Sequence, residues 1–219
     1  MAYELKTRAR LWLPRAAAAF LFAALSRPTA AAADPATNLL AQIEAALADV
    51  RTVRTRFVQE KRLALFKNPL VTHGVILLEM PDKLLWRVDT PIRYALLLDG
   101  RQARQWDGET GKTQRIPLNG NPVFAAVTEQ LRAWFGGRYS QLAADYEIVR
   151  RSAEPAVFVF LPKEGTPPAA LLRTVTVAFR ADNRYIASIR IDETGGDVTT
   201  LTFEETAINT PVPPREWEL

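Results

Sequence analysis

The chain has 219 residues, with 28 Lys and Arg residues against 24 Asp and Glu residues, one histidine and no cysteine. Without cysteine, disulfide bonds and thiol chemistry are excluded. The single histidine, His73, excludes a three-histidine zinc site and is interpreted as a structural or solvated residue. No nucleophile–base motif stands out, so we expect no catalytic residues, no bound metal and no cofactor.

The N-terminus has the parts of a secretory signal peptide. Basic residues precede the ten-residue apolar run Ala16–Leu25, and alanines then lead to Ala33 and Asp34. A run of this length is about half of what a bilayer-spanning helix needs. We therefore expect residues 1–33 to be a signal peptide cleaved after Ala33. Residues 34–219 then form a single soluble domain that is exported.

The signal peptide also changes the interpretation of charge. Residues 1–33 contain five basic residues and one acidic residue, which leaves 23 of each in residues 34–219. A neutral domain gives little support for nucleic-acid binding through a basic face. We expect no nucleic-acid partner.

Hydrophobic spacing predicts one helix and then a long antiparallel sheet. Apolar residues from Leu39 to Val50 recur at helical spacing. Alternation with a period of two follows, broken by short turn sequences that suit antiparallel strands. The predicted strands are Val53–Lys61, His73–Glu79, Leu84–Asp89, Tyr94–Asp99, Gln102–Asp107, Lys112–Ile116, Tyr146–Arg151, Ala156–Leu161, Leu172–Arg180, Tyr185–Asp192 and Val198–Thr206.

Helical spacing interrupts the strands midway. A second helix is predicted from Phe124 to Phe135, ended by Gly136 and Gly137, with a short helical turn over Ser140–Ala144. The proline-rich segment Asn209–Leu219 is predicted to be coil or an edge strap. The predicted fold is α+β, a curled antiparallel sheet forming an unclosed half-barrel of about ten or eleven strands. Two or three helices cover its concave face, over either a packed core or a cavity.

Several short motifs occur in an order that carries further information. They are Arg56–Gln59, Gly74–Leu78 leading to Pro81, Leu84–Trp86, Pro91, Leu97–Gly100 and Gly120–Phe124. In this order and spacing, most of the domain resembles the LolA family of periplasmic outer-membrane lipoprotein carriers.

The resemblance implies a non-enzymatic chaperone for lipoprotein transport that shields acyl chains in a hydrophobic cavity. The implied partners are lipoprotein acyl chains or another lipid, an inner-membrane donor complex and an outer-membrane acceptor, and the protein is expected to be a monomer. If this face is instead a packed core, Trp86 contacts Leu131 and Phe135 of the second helix. The expected lining residues are Phe57, Leu84, Trp86, Leu96, Trp106, Phe124, Leu131 and Phe135.

Two positions depart from the family pattern. Met80 stands where these carriers typically have an arginine that is linked to opening the lid and passing cargo onward. The C-terminal segment is also shorter and richer in proline than in the carriers. These departures leave a glycolipid or a pigment-type lipid as alternative cargo. Two other functions stay open: an envelope-sensing regulatory module on the same architecture, and an enzyme acting on lipid or sugar.

Overall fold

The computed structural model describes residues 35–100, 102–117 and 133–219. The expected signal peptide and most of the predicted second helix, including Phe124 and Leu131, lie outside the described residues. One α-helix, α1 (Pro35–Leu47), precedes the sheet, and residues 133–135 are helical. Three short 3₁₀ helices are Tyr139–Ala144, Pro167–Ala170 and Pro214–Trp217.

Within the described residues, eleven strands make one antiparallel sheet that is not closed into a barrel. Its order is β6-β5-β4-β3-β2-β1-β11-β10-β9-β8-β7, so two meanders meet where β1 pairs with β11. The strands are β1 (Thr52–Arg62), β2 (Leu70–Glu79), β3 (Lys83–Thr90), β4 (Tyr94–Asp99), β5 (Gln102–Asp107), β6 (Thr113–Pro117), β7 (Tyr146–Ala153), β8 (Ala156–Pro162), β9 (Leu172–Phe179), β10 (Ile186–Glu193) and β11 (Val198–Ile208). The α+β fold and all eleven predicted strands are confirmed, with ends that shift by three residues at most.

Local chemistry explains why the chain reverses at the predicted turns. Gly100 and Asn183 have positive φ angles of 57° and 52°, which glycine and asparagine tolerate better than other residues. The Asp107 carboxylate accepts hydrogen bonds from the backbone N–H groups of Glu109 and Thr110 at 2.9 Å. These carboxylate contacts close the β5–β6 hairpin.

The two faces of the sheet are covered by different parts of the chain. Alternate residues of every strand point to the face that packs against α1 and residues 133–142, which we call the helix face. The opposite face carries a smaller apolar cluster from β2, β3 and β4, which the C-terminal segment covers, and we call it the tail face. No helix among the described residues is both long and apolar enough to cross a membrane.

The C-terminal segment differs from the predicted edge strap. Trp217 packs on Val75, Leu77 and Leu85 in the tail-face cluster, and the Lys83 ammonium lies 4.2 Å from the centre of its ring. Nε of Arg54 donates to the Glu216 carboxylate at 2.9 Å. The segment is irregular as predicted, but it crosses the middle of the sheet, because the apolar cluster it covers belongs to inner strands and the edges are β6 and β7.

Candidate functional site

A row of aromatic rings crosses the helix face beside the junction of the two meanders. The ring of Phe57 on β1 lies 5.2 Å from that of Trp86 on β3. Phe135 approaches both Trp86 and Phe203 edge-on at 5.8 Å. The row therefore joins the sheet to the helical segment above it, through contacts of the kind that aromatic pairs prefer.

A glycine in the neighbouring strand makes room for this row. Gly74 pairs directly with Phe57 across β1 and β2. A Cβ atom at position 74 would come within 2.7 Å of the Phe57 ring and would overlap the Arg87 carbonyl oxygen. Only glycine leaves room for the Phe57 ring at this position, so the Gly-Val-Ile-Leu-Leu motif contributes to the shape of the site.

The strands beside this row present apolar side chains that are not all covered. Leu84 and Leu96 are buried on the helix face, whereas Trp86 and Tyr94 are only partly buried. Leu96 pairs with Trp86 across β3 and β4, and Tyr94 pairs with Val88. Burial raises the pKa of the Tyr94 hydroxyl to about 12, so the group stays neutral over the physiological range.

The other meander buries its large aromatic rings on the helix face. Trp134 is fully buried and lies 4.8 Å from the ring of Phe160, with Tyr146 at 6.4 Å. Phe158 and Phe179 are also fully buried and contact each other edge-on at 6.1 Å. This set of rings is hydrophobic core.

The segment above the sheet is tied down by hydrogen bonds. The Tyr185 hydroxyl donates to the Phe135 carbonyl oxygen at 3.3 Å, and the Ser140 N–H donates to the Glu44 carboxylate of α1 at 2.6 Å. Burial raises the pKa of the Tyr185 hydroxyl, which keeps it neutral and able to donate. Residues 133–142 and α1 are thereby held together as one cover.

An open pocket of about 270 Å³ lies beside this cover. Its walls are the end of α1, with Glu44 and Leu47, and the turn from Gly136 to Gln141. A Cβ atom on Gly137 would meet the Leu47 side chain at 2.8 Å, so the two walls approach closely at one point. The pocket is small and partly polar, which suits a headgroup better than an acyl chain.

The structure brings together five of the predicted lining residues. Trp106 is placed elsewhere: it packs with the tail-face cluster, and the Arg93 guanidinium lies 5.2 Å from its ring centre. The expected position of Trp106 is thus corrected, because in β5 it is Ala103 that alternates onto the helix face. Phe124 and Leu131 lie outside the described residues. The five that share the helix face are Phe57, Leu84, Trp86, Leu96 and Phe135.

Sequence reasoning missed three residues of this region: Tyr94, Phe203 and Trp134. Alternation from Leu96 would have placed Tyr94 on the same face, and alternation from Leu201 would have placed Phe203 there. Trp134 adjoins Phe135 in a helical segment, and no sequence pattern shows which meander each of the two rings contacts.

Met80 lies at the end of β2, away from the aromatic row. It is partly buried, and its backbone N–H donates to the Arg51 carbonyl oxygen at 2.8 Å. Arg51 belongs to the short connection between α1 and β1. Met80 therefore lies next to the segment that joins α1 to the sheet.

The chemistry of the described site is apolar. Among residues 35–100, 102–117 and 133–219, no group of three His, Cys, Asp or Glu side chains is placed to hold a metal ion. The side chains that meet at the aromatic row are hydrocarbon and aromatic, with neutral tyrosine hydroxyls at its margins. Such a surface can bind apolar chains by burying them.

The sequence matches one family over most of this fold. Residues 48–218 match the family described as "Outer membrane lipoprotein carrier protein LolA". The chain belongs to the LolA family. This is a family of carriers and binding proteins rather than enzymes. No curated protein matches the chain in sequence.

Solved structures share the LolA fold at low sequence identity. The Pseudomonas aeruginosa MucA/MucB complex matches with 13% identity and a TM-score of 0.52, over 85% of this chain and 61% of the matched chain. A LolA superfamily protein from Nitrosomonas europaea has 11% identity, a TM-score of 0.45 and coverage of 85% and 99%. The Mycobacterium tuberculosis lipoprotein LppX has 13% identity, a TM-score of 0.43 and coverage of 83% and 99%. At these identities the likeness concerns the fold.

Proposed function

We propose that this LolA-family protein is a periplasmic carrier that binds the acyl chains of a lipoprotein or another lipid and moves them toward the outer membrane. The acyl chains lie on the helix face beside Trp86. The cover formed by α1 and residues 133–142 shields them from water. Shielding matters because each CH₂ group buried from water gains about 0.8 kcal/mol.

The observation that carries this proposal is the partial burial of Trp86 within an otherwise apolar face. Its ring contacts Phe57 and Phe135. The rings of the other meander on this face, by contrast, are all buried. A large indole left partly uncovered next to buried leucines is the contact surface that an acyl chain needs.

Export is part of the proposal. Residues 1–33 act as a secretory signal peptide, and cleavage after Ala33 releases one carrier domain, residues 34–219. N-terminal sequencing of the protein recovered from the periplasm should begin at Asp34. A form that retains the apolar run Ala16–Leu25 would instead place the protein on a membrane.

The experiment for cargo binding is native mass spectrometry of the exported protein, followed by lipid extraction. The expected result is a mass adduct that disappears on extraction and is recovered as an amphiphile. Its identity separates a lipoprotein from a glycolipid or a pigment-type lipid. Protein that is free of amphiphile as purified and after incubation with membranes would contradict the carrier function.

The likeness to the MucA/MucB complex favours a second candidate, a regulatory module that binds a partner protein. Of the similarities above, this is the one with a TM-score above 0.5. In this case the helix face would receive an apolar segment of the partner protein. The same mass spectra distinguish the candidates, because a regulator complex would carry a protein mass, and a carrier a lipid mass.

A further inference from the structure

Four large hydrophobic side chains are exposed among the described residues, and all four lie at the same end of the sheet. Leu65 is 93% exposed, Phe66 49%, Leu171 44% and Val71 38%. Leu65 and Phe66 form the tip of the loop between β1 and β2, residues 63–69, which we call the apolar loop. A grouped set of exposed apolar side chains commonly marks an interaction site.

Neighbouring turns hold the apolar loop in place. The Ala64 N–H donates to the Asp197 carboxylate at 3.0 Å, and the Phe66 N–H donates to the Leu63 carbonyl oxygen at 3.0 Å. The turn that contains Asp197 also contains Thr194. The Thr194 N–H donates to the Leu171 carbonyl oxygen at 3.0 Å, which joins this turn to Leu171. The exposed side chains are therefore supported by a hydrogen-bonded base.

The charges at the base of the apolar loop are paired, whereas its tip is followed by one lysine. Residues 61–73 contain three Lys and Arg residues and no carboxylate. Lys61 is buried against Glu193 at 2.8 Å, and Arg62 pairs with Glu60 at 2.6 Å. Lys67 directly follows Phe66 and is exposed. Apolar side chains next to basic ones suit the boundary between lipid headgroups and acyl chains, particularly where some lipids are anionic.

We propose that the apolar loop is a membrane-docking element that inserts Leu65 and Phe66 into the lipid surface, with Lys67 at the level of the headgroups. A membrane fits better than a protein because a stable protein interface buries about 800 Å² on each partner. A two-residue tip offers far less area, but it can enter a bilayer surface. The element lies at a loop end of the sheet, separate from the aromatic row, so docking does not require cargo in the site.

The test uses the lack of cysteine in the chain, which permits labelling at a single introduced position. Leu65→Cys carries a polarity-sensitive fluorophore, and Ala181→Cys is the control in the exposed β9–β10 turn at the opposite end of the sheet. Both proteins are mixed with vesicles of phosphatidylcholine alone and with vesicles containing phosphatidylglycerol. The expected result is a blue shift at position 65 that is larger on anionic vesicles, with no shift at 181.

Unlabelled variants complete the test by vesicle flotation. Leu65→Ser with Phe66→Ser should weaken vesicle binding about tenfold or more, because both apolar contacts are lost. Lys67→Gln should weaken binding to anionic vesicles only. Affinity for a fluorescent fatty acid should not change in either variant, which separates this proposal from cargo binding. Equal shifts at 65 and 181, no shift at either, unchanged flotation of the double variant, or a shift at 65 caused by self-association without vesicles would overturn the proposal.

Discussion

The two meanders use the same helix face in different ways. Beside β7–β10, the rings of Trp134, Phe158 and Phe160 are fully buried, and Trp134 meets Phe160 edge-on. Beside β3 and β4, Trp86 and Tyr94 remain partly uncovered although their neighbours Leu84 and Leu96 are buried. The two halves therefore differ in burial: the large rings of one half are buried, while two large side chains of the other remain partly uncovered.

This division has a physical basis in the cover. Trp134 and Phe135 are adjacent, but Trp134 packs into the β7–β9 half and Phe135 reaches Trp86 and Phe203. The Tyr185 hydroxyl fixes the backbone at Phe135, where the two halves meet, by donating a hydrogen bond to its carbonyl oxygen. Under the proposed function, the filled half keeps the fold stable while the other half exchanges contacts with a ligand.

The largest expected effect is on stability, in the filled half. Trp134→Ala removes a fully buried indole and should lower the free energy of unfolding by about 3–5 kcal/mol. Urea unfolding followed by circular dichroism measures this. Trp134→Phe is the milder variant if the alanine variant does not fold, and its fatty-acid affinity should stay close to that of wild type. A clear loss of affinity in a folded Trp134→Phe protein would contradict the division.

In the open half the main effect should be on binding. Trp86→Glu places a charge where acyl chains are expected and should raise the Kd for a fluorescent fatty acid about tenfold or more. Trp86→Phe retains a ring and is the matched control, with a small change expected. Unfolding is measured in parallel, since the charge also affects stability. Tight binding by a folded Trp86→Glu protein would place the acyl chains elsewhere.

Removing the hydrogen bond between Tyr185 and Phe135 should have a smaller effect on stability. Tyr185→Phe removes the hydroxyl that donates to the Phe135 carbonyl oxygen and leaves a buried acceptor, which costs about 1–2 kcal/mol of stability. The ring itself is retained, so packing is conserved. Thermal unfolding and hydrogen exchange of residues 133–142 measure the change. Unaltered exchange there would show that this hydrogen bond does not hold the cover.

The smallest effect on affinity is expected at Met80, which lies outside the aromatic row. Met80→Arg should change fatty-acid affinity by less than about twofold, because it adds no contact to the site. In the LolA family, which this chain resembles at the neighbouring motifs, an arginine here is linked to cargo release. Delivery of a lipoprotein from donor to acceptor membranes should therefore improve in the variant. Efficient delivery by wild type would show that methionine at this position is neutral.

Much of the fold follows from the sequence, because the alternation of apolar residues is strong. The period of two in segments such as Leu84–Val88 predicts both the strand and the residues that share its inner face. Turn residues such as Gly100 and Asn183 then fix the strand order by closing hairpins. The site could be predicted from the sequence less completely than the fold. The side chain of Trp106 was expected on the wrong face, since a single large aromatic residue does not show which parity of its strand faces the helices.

The position of the C-terminal segment could not be predicted from the sequence. Three prolines correctly indicated an irregular chain, but nothing in Asn209–Leu219 shows what it covers. That depends on Val75, Leu77 and Leu85, residues of buried strands whose outward side chains are also apolar. Strands that are apolar on both faces predict a second cover, and Trp217 supplies it. Membership of the LolA family likewise indicates a carrier or binding protein, whereas the identity of what it binds depends on contacts that alternation does not reveal.

The measurement that tests the central claim most directly is photo-crosslinking with a fatty acid that carries a diazirine near the end of its chain. After irradiation, the crosslinked peptides of the exported protein are identified by mass spectrometry. The account predicts adducts in the peptides that contain Trp86, Tyr94 and Phe135, and none on β8, which carries Phe158 and Phe160. Adducts spread evenly over both meanders, or confined to β8, would contradict it.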